Sequence, residues 1–155
     1  MVKARMLQSL LLFVCMSLVL FLYSSFGGKI VASLGASGFI LFVAPHANNS
    51  QARNLVGGYI CGSIAGILTS LLYGQVSEIN FFGVDYILVF ICATAPALAT
   101  LLMTTTALIH PPAAALALGL SVEPNAINTA IAALIGVIFL CLIRFMLKKY
   151  LKNLI

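Results

Sequence analysis

The sequence predicts an all-α polytopic membrane protein, with four long transmembrane helices and two short broken or re-entrant helices arranged as two long-short-long repeats. Three observations predict it. Hydrophobic residues make up 63% of the 155-residue chain and charged residues 7%, where a soluble domain carries about a quarter charged residues. Four apolar runs, residues 6–26, 55–73, 86–106 and 127–147, approach or reach the length of about 20 residues that a membrane crossing needs. Two shorter runs, residues 30–44 and 112–120, fall one inside each pair of long ones.

Residues 6–26 follow Lys3 and Arg5, but the run is long enough to span and has no clear small-x-small cleavage site, so it reads as a span and not as a signal peptide. Residues 30–44 are interrupted by Ser33, Gly35, Ser37 and Gly38, which makes a comfortable crossing doubtful on length alone. Residues 55–73 carry Gly58, Gly62, Gly66 and Ser70. Small residues at every fourth position share one helix face and let another backbone approach closely, within the chain or between chains. Residues 112–120 would rise about 14 Å, roughly half the hydrocarbon thickness. The chain is then a single membrane domain over residues 1–155, with repeat one at about 6–73, repeat two at about 86–147 and a polar link at 74–85. Transporters are often built from such repeats, with broken helices at matching positions.

The net charge of +5 comes mainly from the two ends, through Lys3, Arg5, Arg144, Lys148, Lys149 and Lys152. That is where cytoplasmic anchors sit, and no basic patch is interleaved with aromatics, so the partner is the lipid bilayer and not nucleic acid. Both termini are expected in the cytoplasm, and the simplest address is a bacterial cytoplasmic (inner) membrane. If the short runs cross, Arg53 joins the termini inside and Lys29 stays out; if they re-enter, Lys29 and Arg53 both face outside. The two arrangements differ by that one arginine, with six passages slightly favoured. Cys15, Cys61, Cys92 and Cys141 fall in four separate apolar runs, so they read as small buried residues, and no disulfide, metal site or cofactor is expected.

The chain is organised around residues 104–120, TTTALIHPPAAALALGL. Proline disfavours the helical basin for its predecessor, so His110 and Pro111 are expected to be extended. Pro112 can open a helix, because its missing N–H would have no partner there anyway. The elbow should therefore leave the N–H groups of Ala113 and Ala114 free, at a helix end that attracts anions. The earlier run SLGASG, with Ser33, Gly35, Ala36 and Ser37, is the matching elbow: serine caps helices and glycine admits a ligand to the backbone. The hydroxyls of Thr105 and Thr106 could add hydrogen bonds, although a membrane threonine usually bonds its own helix one turn back. His110 alone could equally be a turn histidine bonded to a carbonyl. Arg53, at the mouth of a span, is a possible point of anion entry or an interfacial anchor. No acidic residue falls within a span, which argues against a cation pump or a carboxylate relay.

With these stretches in view, HPPAAALAL, SLGASGFILF and ARNLVGGYICGSIAG in this order resemble the HPP family of small integral membrane proteins, over about residues 20–145. The resemblance maps the motif onto His110, Pro111 and Pro112, the LGAS stretch onto Leu34, Gly35, Ala36 and Ser37, and a third stretch onto Arg53, Asn54, Gly57 and Gly58. Ala52 stands where the family pattern would place a proline. The resemblance implies four spans, and for some members a part in nitrite transport.

The sequence thus points to a transporter or channel, not an enzyme, for a small inorganic anion, with nitrite first. The ion would sit where the two short helices begin, with His110 supplying a proton or a charge. A chain this small is expected to act as a homo-oligomer. One rival is a non-transporting scaffold or accessory subunit that uses the glycine stripe as a contact face. The other is a redox or haem protein with His46 and His110 as ligands.

Overall fold

The structure, a computed structural model, describes residues 2–25, 32–76, 80–81 and 84–154. Six helices carry the fold: α1 (Val2–Ser25), α2 (Ala32–Val43), α3 (Ala52–Val76), α4 (Tyr86–Thr105), α5 (Pro112–Ser121) and α6 (Ala126–Leu147). Of these, α1, α3, α4 and α6 are long and apolar enough to span a membrane, while α2 and α5 are shorter apolar helices. The long-short-long order therefore occurs twice. The link at 74–85 contains a two-residue antiparallel ladder, β1 (Asn80–Phe81) with β2 (Val84–Asp85). Lys29, placed on the outer side from the sequence, lies outside the described residues.

The central element is α3, buried over 56% of its span against 11% for α1. Its burial follows from its small residues. Gly57 faces Leu108, Gly58 faces His110, Gly62 faces the Ala113 carbonyl, and Gly66 faces Ala117 and Leu120. Further along, Ser70 Oγ donates to the Glu123 carbonyl at 3.3 Å. The glycine stripe is thus occupied by α5 of the same chain, and α5 runs parallel to α3. Close approach of this kind supplies the packing that holds helices together where lipid is as apolar as the side chains.

The remaining contacts fix the directions. Gly38 of α2 meets Leu12 and Met16 of α1, and Gly136 of α6 meets Leu34 of α2. Ser121 at the end of α5 lies 4.0 Å from Cys92 near the start of α4. Successive helices therefore alternate in direction, and α4–α6 run opposite to α1–α3. Both ends of the chain gather at one end of the bundle. The amide of Gln8 donates to the carbonyls of Phe42 and Lys152 and accepts from the Lys152 N–H at 3.3 Å. Leu154 N–H reaches the Val43 carbonyl at 2.9 Å, and Arg144 reaches the Pro45 carbonyl at 2.7 Å. Residues 148–154 form a strap across this end.

Candidate functional site

The elbow is set by how α4 stops. Pro96 lies inside α4 without ending it. The helix closes at Ala107, which takes φ 54°. The Leu108 N–H bonds the Met103 carbonyl at 3.0 Å and the Ala107 N–H points to the Thr104 carbonyl at 3.4 Å, the paired bonds of a left-handed C-terminal cap. Thr106 Oγ1 lies 3.8 Å from Cys61 Sγ, so α4 ends level with the tenth residue of α3, about 13 Å short of its start. That shortfall leaves a notch.

Into the notch come residues 44–51, the link between α2 and α3. Ser50 Oγ donates to the Ala44 carbonyl at 2.6 Å, and Asn54 Nδ2 to the Asn48 carbonyl at 2.7 Å. These bonds aim the Asn49 carbonyl at His110. An open cleft of about 480 Å³ remains, lined by Asn48, Asn49, Gln51, Arg53, Asn54, Ala107 and Ile109. Four amide side chains and one guanidinium line it, with no carboxylate.

Below the cleft the groups are closed off from solvent: His110, Tyr59 and Ser37 are 0% exposed and Ser33 is 2%. His110 Nδ1 lies 3.0 Å from the Asn49 carbonyl oxygen. A carbonyl only accepts, so Nδ1 carries a hydrogen and, in the neutral ring, Nε2 accepts. Ser37 Oγ lies 2.8 Å from Nε2 and 2.9 Å from Tyr59 Oη. Tyr59 Oη lies 3.2 Å from Ser33 Oγ, and its ring lies 5.7 Å from the imidazole, centroid to centroid. Tyr59 Oη–H is donated to Ser33 Oγ and Nδ1–H to the Asn49 carbonyl, while the Ser37 hydroxyl can donate to Nε2. Ser37 Oγ has a second acceptor, the Ser33 carbonyl at 2.9 Å. In an apolar bundle such a network costs heavily unless every member is paired.

Of the residues singled out from the sequence, Ser33, Ser37 and His110 come together here. Gly35 and Ala36 are on an exposed face of α2. Thr105 and Thr106 are exposed, and their hydroxyls bond the Leu101 and Leu102 carbonyls one turn back. The Ala113 and Ala114 N–H groups are not free; they bond the carbonyls of His110 at 2.9 Å and Pro111 at 3.0 Å. This corrects the expectation of open main-chain donors. The reason is local. Pro111 is helical (φ −51°, ψ −37°), not extended, because its ring already holds φ near the helical value and the turn it closes recovers two hydrogen bonds. Arg53 is exposed at the cleft, away from the buried group.

Tyr59 was missed, although it joins the other three. A tyrosine within GGYICG reads as one more apolar residue. Its signal was a hydroxyl carried at mid-span, next to a glycine stripe. His46 is exposed in the α2–α3 link, while both ring nitrogens of His110 are engaged, so the two do not form a ligand pair. Among the described residues no group of three or more His, Cys, Asp or Glu is placed to hold a metal.

Neither the curated proteins nor the solved structures yield a match to this sequence. A family model described as HPP, transmembrane region, matches residues 2–154, and the chain belongs to that family of membrane proteins.

Proposed function

We propose that the protein passes a small inorganic anion across a membrane, with nitrite as the first candidate. The observation that carries this reading is the notch at the end of α4, where Arg53 and four amides line a cleft that Asn49 joins to the buried His110. An anion entering there meets one positive charge and several N–H donors with no competing carboxylate. A single guanidinium at a water-filled mouth attracts an anion without trapping it, which passage requires. Beneath the mouth, Ser37 and Ser33 of α2 and Tyr59 of α3 form a polar group within otherwise apolar packing.

The reading differs from recognition by free helix ends, because the α5 donors are taken. Assembly of several copies belongs to the same proposal. Its interface would lie away from the glycine stripe, which α5 covers. A bacterial inner membrane, with both termini on the cytoplasmic side, is the setting that the terminal lysines and arginines favour.

Flux into proteoliposomes tests the reading. Nitrite uptake above that of protein-free vesicles is expected for the wild type. Arg53→Gln should lower it several-fold at low salt, with the deficit shrinking as ionic strength rises. No uptake of nitrite, nitrate or chloride by folded protein removes the proposal.

A further inference from the structure

We propose that the end of the molecule where its two termini meet is a binding site for an anionic phospholipid. The inference stands apart from the transport reading. Its first support is the sorting of charge. Lys3, Arg5, Lys148, Lys149 and Lys152 are all exposed at this end, and Arg144 and Arg53 belong to it as well. Together they are seven of the chain's eight lysines and arginines. Asp85 directly precedes α4 and Glu123 follows α5, which puts both at the opposite end. Among the described residues no acidic side chain shares the basic end.

The second support is where the cations stand along the helices. Lys148 follows directly on the α6 span and Lys3 opens the α1 span, so both lie at the depth of the lipid headgroups. A lysine at the C-terminus of a helix is favoured by the helix dipole, which accounts for Lys148 and Lys149 without any ligand. Lys3 and Arg5 have no such account. They occupy the first turn of α1, the end that disfavours cations, and no acidic residue is there to offset them. A bound phosphate relieves that cost and the mutual repulsion of the cations together.

The third support is what lies beneath the charges. Leu151 N–H bonds the Leu147 carbonyl at 3.1 Å, so a helical turn continues through Lys149. Lys149 then shares one face of α6 with Phe145, Leu142 and Ile138, which are 81%, 55% and 47% exposed. On α1, which packs against α6, Lys3 heads a similar exposed track over Leu7 and Leu10. A cation above a bare apolar track fits a phosphate that carries acyl chains better than it fits a free phosphate. The strap also offers its lysines from a fixed backbone. Leu151 is buried, Gln8 holds both main-chain groups of Lys152, and Leu154 N–H bonds the Val43 carbonyl. Less ordering is then left for the headgroup to impose than on a loose tail.

The test uses purified full-length protein in dodecyl maltoside, with phosphatidylglycerol or phosphatidylcholine added at equal concentration. Native mass spectrometry counts the lipids retained, and thermal unfolding reads their effect on stability. Retention of phosphatidylglycerol about tenfold or more above phosphatidylcholine is expected, with a rise in unfolding midpoint that shrinks as salt is added. Equal retention of the two lipids overturns the site. Inorganic phosphate raising the midpoint as much as phosphatidylglycerol overturns the lipid as its occupant. Lys148→Gln, Lys149→Gln and Lys152→Gln combined should abolish the preference, while Lys148→Arg, Lys149→Arg and Lys152→Arg combined should keep it. A folded glutamine variant that prefers phosphatidylglycerol as strongly as the wild type overturns the assignment to the strap.

Discussion

The Cα of Gly62 lies so close to Ala113 that a Cβ built on it would collide with the Ala113 carbonyl oxygen. The obstacle is main chain and cannot rotate away. Gly62→Ala should therefore lower stability by about 2 kcal/mol or more, at the upper side of overpacking costs. Gly35→Ala, with nothing within 4 Å of the added methyl, should instead be neutral or stabilising by up to ~1 kcal/mol. Thermal unfolding of the two variants in the same detergent separates them.

Ala107 is the one non-glycine residue with positive φ among the described residues. Glycine relieves the Cβ crowding there, so Ala107→Gly should raise stability by roughly 1 kcal/mol. The expected signature is a higher midpoint of thermal unfolding with unchanged helix content by circular dichroism.

Ser63 Oγ is buried in α3 without a hydrogen-bond partner. A hydroxyl taken from water and left unpaired costs about 1–3 kcal/mol. Ser63→Ala should stabilise the fold by about 1 kcal/mol on that ground, read as increased resistance to unfolding in denaturing detergent. A loss of stability would show that the hydroxyl is paired in the membrane.

Gln8 holds the strap through both main-chain groups of Lys152. Gln8→Leu keeps the size and removes three hydrogen bonds. Trypsin should then cut after Lys148, Lys149 or Lys152 at least several-fold faster, since cleavage follows local opening. Mass spectrometry of timed digests gives the rates.

Much of the fold was legible because hydropathy is a local quantity. The four spans emerge within four residues of their expected ends, and the two short helices emerge at 112–121 and 32–43. The α3 boundary extends to Ala52 because Arg53 and Asn54 add helix beyond the apolar run, which a hydropathy reading ends too early. The glycine stripe was legible as a contact face, but its occupant was not. Nothing near Gly62 announces Ala113, fifty-one residues on. The site was half legible for the same reason. Ser33, Ser37 and His110 stand out as rare polar groups, yet their meeting depends on Tyr59 and on the Asn49 carbonyl, which belong to other elements. Free donors on Ala113 and Ala114 followed from a rule about prolines. The rule states a preference, and a turn that closes two hydrogen bonds overrides it.

The grip of Gln8 on Lys152 spans 144 positions of sequence. Helix α1 is thus made with an amide whose partners on Lys152 follow only later, and at about 5–20 residues per second the wait is on the order of 10 s. Until residue 152 emerges, Gln8 holds the Phe42 carbonyl alone, and the strap that crosses this end of the molecule is missing. A chain stalled during translation would hold most of its helices and still lack the clasp between its two ends.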